Sequence, residues 1–147
     1  MLDDVSAKVL EEYLRDSRQS IREVARKIGV SSGTVASRLK EMEETGIIRR
    51  YSAQLDYEKL GYELTSITEI TVSEGRMIEV GEVVAKLSQA TGVYNVTGDS
   101  DLMIVGKFRN RKELSDFTKK LLTIPHIERT KTHLVLNTMK EDFSLIP

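Results

Sequence analysis

Apolar residues recur at helical spacing through the first third of the chain, and strand-like and helical stretches alternate thereafter. Val5, Val9, Leu10, Tyr13 and Leu14 form one stripe and predict a helix from Asp4 to Asp16. A second helix opens at Ser20, where Glu23 three residues on completes a capping box, and closes at Gly29. A third begins after only Val30, with Ser31 as N-cap, Val35, Leu39 and Met42 inward, and Gly46 at its end. Val30 and Val35 are placed to staple its entry. Residues Ile47 to Leu55 read as extended, a wing or a crossing strand.

After a single predicted turn capped by Asp56 and stopped by Gly61, the pattern becomes strand (Tyr62–Val72), helix (Met77 to Leu87, closed at Gly92), strand (Val93–Thr97), Gly98-Asp99-Ser100-Asp101 turn, strand (Leu102–Phe108), helix (Asn110 to Leu122) and strand (Ile127–Thr138). Pro125 stops the last helix. This βαββαβ order predicts a ferredoxin-like four-stranded antiparallel sheet with both helices on one face. The expected fold class is α+β: residues 1–56 a winged-helix-like helix-turn-helix domain, 57–61 a short hinge, 62–147 the ferredoxin-like domain. The uncovered sheet face is expected to hold Ile67, Tyr94, Val96, Ile104, Val105 and Leu134 among polar residues, which predicts self-association.

Composition narrows the chemistry. The chain of 147 residues has no Cys and two His, so disulfides, thiol nucleophiles and Cys-based zinc sites are excluded and a His dyad has little to work with. The acidic start shows no apolar signal segment and no apolar run suffices for a membrane span, so a cytoplasmic protein with no membrane partner is expected. No nucleophile–base pair or Gly-rich phosphate loop is evident, and no enzyme and no cofactor are expected.

The net charge is only −1, yet Arg18, Arg22, Arg26, Lys27, Arg38 and Lys40 face a single acid, Glu23, between positions 18 and 40. A plain helical bundle with solvated cations is one explanation. The short capped turn combined with this charge favours another, a recognition helix sized for the major groove of double-stranded DNA. Arg38 and Lys40 would flank it, and Arg18, Arg22 and Arg26 would meet the phosphate backbone. Arg49 and Arg50 fit phosphate contacts and a solvated strand equally well.

The stretches IREVARKIGVSSGTVASRLKEMEETGIIRRYSAQLDYEKLGY and VYNVTGDSDLMIVGKF resemble the Lrp/AsnC (feast/famine) family of transcriptional regulators, from Leu2 to about Asp142. The resemblance implies a DNA-binding regulator that dimerises through its second domain and assembles to tetramers or octamers. It implies an amino acid or related small metabolite as effector. Carried over, the DNA side is Ser31, Ser32, Thr34, Ser37, Arg38 and Lys40. The effector side is Thr97, Gly98, Asp99, Ser100 and Asp101, with Thr130, Thr132 and Leu134 supplied by a neighbouring subunit. This chain departs from the family in having short Ala36 and Ser37 on the outward face of the third helix. Specificity is then expected from Arg38, Lys40 and DNA bending. The alternative is an architectural DNA-compacting protein without an effector.

Overall fold

In the computed structural model, which describes residues 2–146, the expected helices form at their caps. Asp3 accepts the Ser6 N–H at 2.7 Å and starts α1 (Asp4–Arg15). Ser20 and Glu23 exchange both capping-box bonds at the head of α2 (Ile21–Ile28). Gly29 ends that helix at φ +73°, a conformation glycine adopts without steric cost. The chain turns through Gly29 and Val30 into α3 (Ser32–Glu44), whose first turn is closed by Ser31 Oγ accepting from the Thr34 N–H at 3.1 Å. Val9, Val24, Ala25, Val35, Leu39 and Met42 are buried together, with Val30 and Ile48 packed on them. The three stripes therefore meet in one small core, and a fully buried Val or Leu contributes on the order of 1.5–3 kcal/mol.

Residues 47–56 differ from expectation. They join no sheet among the described residues. Tyr51 ties the segment to the helices instead: its hydroxyl donates to Glu43 at 2.8 Å and its ring meets that of Tyr13 edge-on. Burial and the Glu43 carboxylate push the Tyr51 phenol up to about 12. The turn at 57–61 forms as expected, with Asp56 accepting from the Lys59 N–H and Gly61 at φ +86°.

The second unit is built from β1 (Leu64–Val72), α4 (Met77–Val84), β2 (Ala90–Asn95), β3 (Leu102–Phe108), α5 (Arg111–Thr123) and β4 (Ile127–Leu134). The strands lie in the order β2-β3-β1-β4, all antiparallel. Buried and partly buried residues alternate along β1 and β3. Ile70, Val72, Leu102, Ile104 and Phe108 face Val80, Val84, Phe117 and Leu121 of the helices. The expected uncovered face needs two corrections. Ile104 is wholly buried on the helix side, and Leu134 pairs with buried Ser66 on that same side.

Gly92 also moves: α4 ends at Val84, and Gly92 sits inside β2 at a register irregularity. A Cβ there would come within 2.8 Å of the Tyr94 ring. The α5 cap is built from two bonds. Asn110 accepts from the Glu113 N–H, while Glu113 reaches back to the Arg109 N–H.

The chain divides into two compact units, one of residues 2–54 with 140–146 and one of residues 55–139. Residues 140–146 thus group with the helices. No helix among the described residues is long and apolar enough to cross a membrane.

Candidate nucleic-acid interface and polar cleft

In the helical unit, Ser32, Gly33, Ala36, Ser37 and Lys40 form an exposed stripe on α3. None but Lys40 is long, so a flat partner can come close to the helix. Ser31 and Thr34 are committed locally. Ser31 Oγ holds the Thr34 N–H, and the two hydroxyls lie 2.9 Å apart. Their role is to fix the helix start, which leaves the first helical N–H groups aimed outward where an anion can meet them.

The cations divide into two groups. Arg38 binds Asp3 at 2.9 Å and reaches Glu41 at 3.4 Å, pinning α3 to the start of α1. The same Asp3 carboxyl is held below its ordinary value, chiefly by the Ser6 N–H and hydroxyl and further by Arg38. Arg18 is folded back on Asp16, whose carboxyl is pulled down to about 2 by those hydrogen bonds. Lys27 bonds Gln19 and Glu12, and Lys40 lies 3.7 Å from Glu44. The side chains of Arg22, Arg26, Arg49 and Arg50 make no hydrogen bond or ion pair among the described residues.

In the second unit, the Gly98–Asp101 turn connects β2 to β3, with Gly98 at φ +108°. Its two carboxylates do different work. Asp101 accepts the Val72 N–H at 2.7 Å, where the β1–β4 register shifts. Its own N–H donates to the Ile70 carbonyl, and its carbonyl accepts from Val96 N–H and the Asn95 side chain. Asp101 is therefore a bracket for the turn. Asp99 is exposed and makes no such bond. Ser100 donates to Glu69 Oε1 at 2.8 Å, while Glu69 Oε2 meets His133 Nε2 at 2.6 Å. These two bonds, His133 first, hold the Glu69 carboxyl below its ordinary value.

Beside this turn lies a cleft of about 170 Å³ lined by Glu69, Thr71, Asp99, Ser100, Arg129 and Lys131. Asp99 and Ser100 were expected at a site. Thr97 is exposed with no hydrogen bond among the described residues, and Gly98 shapes the turn. Thr130, Thr132 and Leu134 are not brought to this cleft. They pair with Ile70, Thr68 and Ser66, which face the helices. The alternate residues Arg129 and Lys131 pair with Thr71 and Glu69 on the open face. The cause is the bulge between Thr71 and Val72, which pairs Val72 with Ile127 and skips Glu128. A single extra residue reverses which side of the strand faces in. Arg129, Lys131 and His133 thereby come to the open face, where Glu69 and Thr71 of β1 meet them; the sequence reading places none of the five at a site. Ile127 and Leu134 fall on opposite parities of the strand, so the apolar pattern could not set its phase.

Residues 65–145 match the family model described as the Lrp/AsnC ligand binding domain, and residues 2–49 match one described as winged helix-turn-helix DNA-binding. The chain belongs to the Lrp/AsnC family. It is 42% identical over 146 residues to an uncharacterized HTH-type transcriptional regulator of Pyrococcus horikoshii, covering 99% of each. Its fold is similar to that of Escherichia coli AsnC, with a TM-score of 0.92 at 24% identity, covering 100% and 99% of the two chains. It is also similar to the Neisseria meningitidis transcriptional regulator NMB0573, solved as an L-Met complex, with a TM-score of 0.90 at 24% identity and 99% and 96% coverage. This Lrp/AsnC chain is a transcriptional regulator with a DNA-binding and a ligand-binding domain, and not an enzyme.

Proposed function

We propose that this regulator binds double-stranded DNA with α3 in the major groove and that an amino acid or related small metabolite in the cleft beside Gly98–Asp101 modulates that binding or the protein's assembly. The observation that carries the reading is the pairing, in one chain, of an exposed capped helix on a short turn with a polar cleft of matched charges. The L-Met complex of the Neisseria protein supports a ligand in this class of domain.

On the DNA side, Ser32, Ser37 and Lys40 would approach the groove, and Ser31 and Thr34 would present the helix start to a phosphate. Arg22, with Arg26, Arg49 and Arg50, would supply phosphate contacts, and Arg38 would chiefly hold α3 in place. On the effector side, Asp99 would take an ammonium group and Gly98 and Ser100 would shape the turn, with Thr97 at the rim. Asp101 would support them without touching ligand. Thr130, Thr132 and Leu134 could serve only from a neighbouring subunit, as the resemblance implied. The open face, with Ile67, Tyr94, Met103 and Val105, would be covered by a second copy. A homodimer assembling further to a tetramer or octamer follows.

Fluorescence anisotropy on DNA upstream of the gene tests this, at two salt concentrations, with unrelated DNA as competitor and with an amino-acid panel. Specific, salt-sensitive binding that an amino acid shifts is expected. Each lost phosphate contact, as in Arg22→Ala or Arg26→Ala, should flatten the logarithmic salt slope by about 0.9. Absence of binding at low salt, with and without amino acids, would refute the DNA reading. The short side chains of α3 favour one second reading, architectural compaction: salt-sensitive binding that competitor DNA abolishes and no amino acid changes.

A further inference from the structure

We infer that the cleft prefers an α-amino acid whose side chain ends in a carbonyl oxygen, a carboxylate or a carboxamide over an aliphatic or thioether one; this rests on the effector reading above. At about 170 Å³ the cleft lies below the ~300–1,000 Å³ of drug-sized sites, so its ligand is small. All six lining residues end in polar groups, so an apolar side chain would meet mostly polar surface here and only the Thr, Arg and Lys stems to pack against.

The lining groups divide by what they have left to give. Glu69 is spent, one oxygen on His133 at 2.6 Å and the other on the Ser100 hydroxyl at 2.8 Å. Asp99 and Arg129 make no ion pair among the described residues and match the ammonium and carboxylate that every α-amino acid carries. Two donors remain. The Thr71 hydroxyl is one. The other is the Lys131 ammonium, which lies 3.9 Å from Glu69, beyond hydrogen-bond length, on a side chain 71% exposed.

Their complement is an acceptor. An aliphatic side chain would strip water from both donors and return no bond. The spacing agrees. Arg129 pairs with Thr71 and Lys131 with Glu69, two residues apart along the same face. That separates the two cations by about 6.7 Å at their backbones. A ligand of aspartate-to-glutamine size would lay its α-carboxylate on Arg129 and its side-chain carbonyl on Lys131.

The test uses the full chain, with binding by isothermal titration and by thermal shift. L-Asp, L-Asn, L-Glu and L-Gln are compared with L-Leu and L-Met. Wild type, Lys131→Met and Asp99→Asn are compared, each checked for native circular dichroism. At least one carbonyl-ended amino acid is expected to bind tenfold or more tighter than L-Leu and L-Met. Lys131→Met should erase that margin by about tenfold, and Asp99→Asn should weaken every amino acid. Tighter binding of L-Leu or L-Met that still depends on Asp99 would overturn the ligand class and leave the effector reading standing. A carbonyl-ended ligand indifferent to Lys131→Met would overturn the class as argued. No amino acid binding at all would remove the effector reading itself.

Discussion

Asp99 and Asp101 sit two residues apart on one exposed turn, yet they should respond to substitution in opposite ways. Asp101 Oδ2 accepts the Val72 N–H at 2.7 Å where the β1–β4 ladder shifts register. Val72 is 8% exposed, so its N–H has no ready access to water once the carboxylate is gone. A hydrogen bond to a charged acceptor contributes about 1.5–3 kcal/mol, and stranding the buried donor costs about 1–3 kcal/mol. Asp101→Ala should therefore destabilise by about 2 kcal/mol. Asp101→Asn keeps an acceptor of the same shape without the charge and should lose about half of that. Asp99→Ala removes an exposed carboxylate with no partner among the described residues and should stay within ~0.5 kcal/mol. Urea unfolding followed by circular dichroism, at one fixed protein concentration, measures all three. If Asp101→Ala costs no more than Asp99→Ala, the bracket is misidentified, and Asp101 returns to the list of ligand contacts.

Other outcomes follow from the same packing. Gly106→Ala would set a Cβ 2.8 Å from the ring of wholly buried Phe108, so about 1–3 kcal/mol of overpacking should appear as a lower urea midpoint. Ser66 Oγ is buried with no hydrogen-bond partner among the described residues, so Ser66→Ala should be neutral or stabilising by up to ~1 kcal/mol; a loss above that would expose a bond to the hydroxyl. The Glu69 carboxyl sits below the usual 4.5 because His133 and Ser100 favour its charged form. A depressed carboxylate stabilises fully above its unfolded value and loses that contribution as pH falls through the folded one. The advantage of wild type over Glu69→Gln in urea should thus shrink as pH falls below 4.5. An advantage that grows as pH falls through that range would reverse the assignment.

The helical third of the chain was legible from sequence because its determinants are local. Caps, Gly stops and the 3.6-residue stripe each act within a few residues, and Ser20, Glu23, Gly29 and Ser31 behave in the fold as they read in the chain. The βαββαβ order was equally legible, since buried and partly buried residues alternate cleanly along β1 and β3. Tertiary structure decided what depends on partners far away in sequence. It chose which cations remain free, because Asp3, Asp16 and Glu12 claim Arg38, Arg18 and Lys27. It withheld a ladder from residues 47–56 and anchored them through Tyr51 instead. It set the phase of β4 through one bulge, which brings Arg129 and Lys131 of the same chain to the cleft. Periodicity fixes a strand's two faces but not which one looks inward. That choice belongs to the register, and register is settled by the neighbouring strand.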